Sequence, residues 1–219
     1  MRIGLSGGLG AGKSTVGRLL AARGAVVIDT DQVAREVLAP GGAGERAVLE
    51  HFGPSVALAN GSLDRRALAD LVFAVPSERL ALEAITHPLI RRGVEERIAS
   101  LEAGADAGAT PAHAGATPAA ARTRAVVVIE IPLLDAARRR DYSLDTVVLV
   151  EAPEAVAVLR AQRRGISREQ AIARMAAQPT PADRRAAADR VITNTGSLRE
   201  LEAQVNDLWA DLVQDAPAE

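Results

Sequence analysis

Short apolar runs alternate along the chain with longer segments of helical periodicity. The apolar runs predict buried strands at 2–5, 25–28, 125–129, 146–150 and 191–192. Apolar residues recur every three to four positions in the segments that predict helices, at 14–22, 32–38, 45–52, 65–73, 77–85, 89–102, 154–164, 167–177 and 197–212. Because strands alternate with helices, the pattern predicts an α/β fold with a mostly parallel, five-stranded sheet flanked by helices.

Two places interrupt this alternation. Pro88 disfavours helical geometry at the preceding residue, so the sequence predicts two helices that flank His87 and Pro88. Residues 103–123 are rich in Ala, Gly, Thr and Pro and contain AGATPA twice, at 107–112 and 114–119. Such a composition buries little apolar surface, so we expect a flexible surface insertion without chemistry, with His113 inert.

Residues 7–14 read GGLGAGKS and match the phosphate-binding pattern G-x-x-x-x-G-K-[ST]. We call them the phosphate loop. The loop follows a predicted strand and opens a predicted helix, the context in which backbone N–H groups surround phosphates. Lys13 would bridge the outer phosphates, the Ser14 hydroxyl would ligate Mg²⁺, and Thr15 could donate to the inner phosphate. The sequence therefore predicts that the protein binds a nucleoside triphosphate, most simply ATP.

Composition sharpens this prediction. Of the 26 basic residues, only Lys13 is a lysine, and a compact ammonium fits between phosphates better than a flat guanidinium does. A GTP switch protein needs a second lysine for its N-K-x-D motif, so that class is excluded. A net charge of −2 and an aromatic content of 2% disfavour a nucleic-acid partner, and no apolar run is long enough to suggest a membrane span. Without cysteine, disulfides and a thiolate zinc site are excluded.

Two acids follow the second predicted strand. Asp29 and Asp31 would lie near the γ-phosphate if this strand is next to the first strand or one strand away, because ligands bind beyond the carboxyl ends of parallel strands. We expect Asp31 to act as a general base. Asp29 could equally cap the following helix, with Gln32 completing a capping box.

The segment from 157 to 190 holds eight arginines and three acids. Arg160 and Arg164 are four residues apart on one predicted helix face, so they can converge on one ligand. Arginines over a phosphate loop would stabilise transition-state charge, and we expect this pair to do so. The alternative is a solvated basic face.

Taken in order, these motifs resemble the dephospho-CoA kinase family over residues 2–200. The resemblance rests on the phosphate loop, on Asp29-Thr30-Asp31, on 63–73, on 86–90, on 129–134, on the lid pattern around Arg160 and Gln178, and on 188–196. It implies one P-loop kinase domain with a nucleotide core at about 1–38, 124–153 and 189–212. An acceptor-binding helical part would span about 39–102, and an arginine-rich lid about 154–188.

The resemblance also implies the chemistry. The enzyme would transfer the ATP γ-phosphoryl group to the 3′-hydroxyl of dephospho-CoA, with Mg²⁺ as cofactor. ATP would bind at Gly10, Ala11, Gly12, Lys13, Ser14 and Thr15, with help from Arg164 and Asn194. Lys13, Asp31 and Arg160 would be catalytic. His87, Pro132 and Leu133 would help Asp31 bind the acceptor. A cytoplasmic monomer or weak homo-oligomer is expected.

One departure and two alternatives accompany this interpretation. The family usually has a Glu shortly after Pro-Leu-Leu, where this chain has Asp135 and Ala136. A P-loop kinase with another small acceptor would share Lys13 and Asp31 but differ around His87 and Pro132. A nucleotide-binding regulator would bind ATP without transferring phosphate.

Overall fold

The structure is a computed structural model that describes residues 1–106, 126–132, 134 and 136–214. Its strands are β1 (Arg2–Gly7), β2 (Val26–Asp29), β3 (Val127–Glu130), β4 (Thr146–Glu151) and β5 (Arg190–Thr193). Its helices are α1 (Lys13–Ala21), α2 (Thr30–Val37), α3 (Ala43–Phe52), α4 (Arg65–Ala74), α5 (Pro76–Asp106), α6 (Ala136–Asp141), α7 (Glu154–Gln162), α8 (Arg168–Ala176), α9 (Pro181–Ala186) and α10 (Leu198–Gln214). The chain divides into two compact units, one formed by Met1–Asp29 with Ala109–Glu219 and the other by Thr30–Gly108.

The first unit is built on a five-stranded sheet with the order β2-β3-β1-β4-β5. Every neighbouring pair is parallel, so the predicted parallel sheet is confirmed. β1 is central, and β3 separates it from β2, which makes the first two strands of the chain one apart. The carboxyl end of β1 leads directly into the phosphate loop.

The core of this unit is almost entirely aliphatic. Ile3 and Leu5 of β1 pack with Val16 and Leu20 of α1, all fully buried, and with the buried face of α10. Each such side chain contributes roughly 1.5–3 kcal/mol through burial, so β1 and α1 are rigid supports for the loop that joins them.

The second unit contains α2 to α5 and a small core of Val48, Val56, Leu63 and Leu68. Glu45 is 5% exposed and accepts hydrogen bonds from the backbone N–H groups of Leu63 (3.0 Å) and Gly41 (2.6 Å). These two bonds lower the pKa of Glu45, with the bond from Leu63 as the larger cause. The buried carboxylate of Glu45 therefore holds the segments that contain Gly41 and Leu63 against α3.

The predicted break at His87 and Pro88 is wrong. A single helix, α5, runs from Pro76 to Asp106 with Pro88 inside it. Proline removes one helical hydrogen bond, but α5 packs on α2, α3 and α4 and buries Val94 and Ile98, so tertiary packing outweighs the local cost. The helix also extends through 103–106, the first residues of the predicted insertion, whereas 107–123 lies outside the described residues.

Candidate nucleotide-binding site

The phosphate loop owes its path to two glycines with left-handed backbone geometry. Gly10 has φ 71° and Gly12 has φ 103°, a region that other residues enter only with strain. A Cβ on Gly10 would collide with the backbone carbonyl of Ala157 in α7, and one on Gly12 would collide with the side-chain amide of Asn194. The loop is therefore packed tightly against α7 and against the segment that follows β5.

Gly12 is the N-cap of α1 and offers no side-chain oxygen to the first-turn N–H groups of the helix. A helix N-terminus of this kind favours a bound phosphate. Lys13 is the first residue of α1, and its Nζ donates to the carbonyl of Gly7 at 2.7 Å. Ser14 is exposed and Thr15 is half-buried on the same first turn. The predicted phosphate-binding residues therefore lie together on one loop and one helix turn.

Arg160 and Asn194 form what we call the loop clamp. Asn194 is 6% exposed, and its Nδ2 donates to the carbonyl of Ala11 at 2.8 Å. Arg160 Nη1 donates to the carbonyls of Gly10 (3.3 Å) and Ala11 (3.4 Å). Arg160 Nη2 donates to the Oδ1 (3.1 Å) and backbone carbonyl (3.3 Å) of Asn194.

The loop clamp has a consequence for anion binding. In a trans peptide the C=O of one residue and the N–H of the next point in opposite directions. Holding the carbonyls of Gly10 and Ala11 on one side therefore directs the N–H groups of Ala11 and Gly12 to the other side, where the Ala11 N–H donates to the carbonyl of Gly8 at 3.2 Å. Sequence reasoning expected Arg160 and Asn194 at the nucleotide, and the structure places them on the carbonyl side of the loop.

The segment predicted to form the lid, residues 154–188, consists of α7, α8 and α9, and we keep the name lid for it. Two capping boxes define the starts of its later helices, one between Ser167 and Gln170 and one between Thr180 and Asp183. Arg185 of α9 forms an ion pair with Glu151 at the end of β4, with Nε at 2.7 Å and Nη2 at 2.6 Å from Oε2. This pair ties the last lid helix to the sheet. The predicted ligand Arg164 follows α7 and is exposed.

The lid also contacts the phosphate loop directly. The N–H of Leu9 donates to Oε1 of Gln178 at 3.2 Å, in the connection between α8 and α9. Beside this contact is a cavity of about 600 Å³, lined on the loop side by Gly8, Leu9 and Ala11 and on the lid side by residues that include Gln178 and Arg184. The cavity is large enough for part of a nucleotide.

Acidic residues end three strands of the sheet, Asp29 in β2, Glu130 in β3 and Glu151 in β4. Glu130 ends β3 opposite Leu5 of β1 and Asp29 of β2. Its carboxylate occupies the space that a side chain on Gly17 of α1 would need. Sequence reasoning did not single out Glu130 as a site residue, although an apolar strand that ends in an acid beside a phosphate loop was the available signal.

The remaining predicted residues within the described part of the chain lie on α2, on α5 and just after β3. Asp31 is the second residue of α2 and is exposed, and His87 is exposed on α5. Gln32 donates through Nε2 to Glu36 at 3.0 Å. Pro132 is half-buried just after β3, whereas Leu133 and Asp135 lie outside the described residues. No group of three His, Cys, Asp or Glu that could hold a metal occurs among the residues that the structure describes.

The sheet order, the phosphate loop and the lid together define a P-loop kinase. A family model described as dephospho-CoA kinase matches residues 1–107 and 114–200. The chain is 44% identical to the dephospho-CoA kinase of Frankia casuarinae, over 99% of this chain and 86% of that one. It is also 44% identical to the dephospho-CoA kinase of Streptomyces avermitilis, over 99% and 96%. The chain therefore belongs to the dephospho-CoA kinase family, and the predicted family is confirmed.

Solved structures agree on the fold. TT1252 from Thermus thermophilus superposes with a TM-score of 0.74 at 34% identity, covering 97% of each chain. The dephospho-CoA kinase of Campylobacter jejuni superposes with a TM-score of 0.65 at 21% identity, again over 97% of each chain. No helix within the described ranges is long and apolar enough to cross a membrane.

Proposed function

We propose that the protein transfers the γ-phosphoryl group of ATP to the ribose 3′-hydroxyl of dephospho-CoA. The hydroxyl oxygen forms a bond to the γ-phosphorus, the bond from that phosphorus to the β–γ bridging oxygen breaks, and the hydroxyl proton is released. CoA and ADP are the products. The proposal is carried by the clamped phosphate loop with Lys13 at the start of α1, in a chain that matches the family over nearly its whole length.

ATP would be held by the phosphate loop and the first turn of α1. The N–H groups from Gly10 to Thr15 would surround its phosphates, and the Lys13 ammonium would leave the Gly7 carbonyl to neutralise the outer ones. Arg164 and Asn194 remain proposed nucleotide-binding residues. The contacts of Asn194 favour an indirect contribution, through the orientation of the loop.

The residues of this region fit Mg²⁺. Magnesium keeps several waters and takes few ligands from protein, so a single exposed hydroxyl beside the phosphates suffices. Ser14, on the first turn of α1, would supply that hydroxyl. Bound magnesium would neutralise charge on the β- and γ-phosphates.

Asp31 is the proposed base. It is an exposed carboxylate in the first turn of α2, and it would accept the proton of the attacking hydroxyl, a contribution of typically ~10²–10⁴ in rate. Arg160, predicted as catalytic, is proposed to act as a positioning residue that holds the loop. His87, Pro132 and Leu133 are proposed to contact the acceptor.

We place the enzyme in the cytoplasm, where its substrate ATP is made, as a monomer or weak homo-oligomer.

Release of ADP in the presence of ATP, Mg²⁺ and dephospho-CoA tests the proposal. We expect a rate of ADP release far above the acceptor-free background. The Lys13→Ala variant should lower this rate by a factor of about 10² or more. Arg18→Ala, an exposed position on the same helix, is the matched control. ATP binding without acceptor-dependent ADP release would favour a regulator or a kinase with another acceptor.

A further inference from the structure

The arginines of the lid differ in what they contact. Arg160 belongs to the loop clamp, where it donates hydrogen bonds to carbonyl oxygens and to the Asn194 side chain. Arg185 forms an ion pair with Glu151. Neither guanidinium is directed at a phosphate by these contacts. Arg184, which sequence reasoning did not single out, has different surroundings.

Arg184 carries a buried donor that no described residue satisfies. Its Nε is buried and has no hydrogen-bond partner among the described residues. Its Nη1 donates to the carbonyl of Pro179 at 2.7 Å, which fixes the direction of the guanidinium. A buried N–H without a partner lowers the stability of the folded state, so native structures seldom keep one without a use. A guanidinium that is oriented in this way and lines the cavity beside the phosphate loop is suited to an anion.

The guanidinium of Arg184 also lies against the phosphate loop. Its Cζ and Nη1 are 3.5 and 3.6 Å from the position that a Cβ would take on Gly8. Arg184 and Gly8 line the same cavity of about 600 Å³, and the bond from Leu9 N–H to Gln178 holds this part of the lid against the loop. A Cβ on Gly8 would be in ordinary van der Waals contact with the guanidinium, so the guanidinium lies directly beside the start of the loop.

We propose that Arg184 is the lid arginine that contacts the transferred phosphoryl group of ATP. The inference rests on the proposed kinase function and deepens it. The transition state of phosphoryl transfer spreads charge over three equatorial oxygens, which a guanidinium can meet with parallel N–H donors. Arg184 stabilises that charge, while Arg160 holds the carbonyls of the loop.

The test compares Arg184→Ala and Arg184→Lys with Arg168→Ala, an exposed lid arginine at the start of α8. We measure CoA formation, the affinity for ADP with aluminium fluoride as a transition-state mimic, the affinity for ADP alone, and the melting temperature. Arg184→Ala should lower kcat by about 10³ or more. It should also weaken the binding of ADP with aluminium fluoride by a similar factor. Arg184→Lys should retain more activity than Arg184→Ala, because lysine keeps the positive charge but lacks the paired N–H donors of a guanidinium.

Two further results separate this role from a structural one. Affinity for ADP alone should change by less than about threefold in every variant. Arg184→Ala should change the melting temperature little, because loss of the bond to the Pro179 carbonyl is offset by removal of a buried donor that no described residue satisfies. Full activity and intact fluoride binding in Arg184→Ala would overturn the assignment. If the unaltered protein forms no CoA, the proposed function fails, and the fluoride complex alone still decides the role of Arg184.

Discussion

Replacing Asn194 by alanine tests the loop clamp. The substitution removes the bond from Nδ2 to the Ala11 carbonyl at 2.8 Å and the bond that Oδ1 accepts from Arg160 at 3.1 Å. A neutral hydrogen bond contributes about 1 kcal/mol and one to a charged group about 1.5–3 kcal/mol, so we expect a loss of about 2–4 kcal/mol. For a chain of this size the melting temperature should fall by about 5–15 °C.

The same substitution should weaken ATP binding, because the N–H groups of Ala11 and Gly12 lose the constraint on their direction. Thermal unfolding gives the stability and calorimetric titration gives the ATP affinity. Asn206→Ala is the control, an exposed Asn on α10 whose Oδ1 accepts a bond from Arg23 at 2.8 Å, and it should change stability by no more than about 0.5 kcal/mol.

A double-mutant cycle with Arg160→Ala completes the test. If Arg160 and Asn194 act as one clamp, their effects should fall short of additivity by about 1 kcal/mol. The reasoning would be refuted by an Asn194→Ala protein that melts like the control and binds ATP normally. Strict additivity in the cycle would show that the two side chains hold the loop independently.

Three further predictions concern other parts of the chain. Gly10→Ala should abolish measurable ATP binding because its Cβ meets the α7 backbone, whereas Gly24→Ala, with φ 105° and nothing within 4 Å, should bind ATP normally by titration. Asp31→Asn should lower kcat by about 10² or more with ATP affinity retained, and near-normal turnover would remove it from the mechanism. Because the folded pKa of Glu45 lies below its ordinary 4.5, its stabilisation is present above that pH and is lost as pH falls through the folded value. Glu45→Gln should therefore melt lower at pH 7 and show a weaker decline in acid, and parallel pH profiles would contradict the assignment.

The strands, the phosphate loop and the family could be predicted because each has a local signal. Continuous apolar runs indicate strands buried on both faces, and the glycines with Lys13 indicate a phosphate site. The order of the strands could not be predicted in this way, since the residues of β3 that pair with β1 are about as apolar as those of the other strands.

What the sequence could not show depends on interactions between distant residues. The break at Pro88 was predicted from local backbone preference, and packing of α5 on three other helices overrides it. Arg160 and Arg164 were paired by their spacing on a helix, whereas Arg160 contacts the carbonyls of the loop. Arg184 had no motif that marked it, and only the fold brings it beside Gly8.

The most direct test of the central claim is the identity of the product formed from ATP, Mg²⁺ and dephospho-CoA. Mass spectrometry gives the number of phosphoryl groups added, and phosphorus NMR gives their position. We predict one added group, on the ribose 3′-oxygen, formed together with an equal amount of ADP. An unchanged acceptor, with ATP still bound to the protein, would contradict the assignment of dephospho-CoA as the substrate.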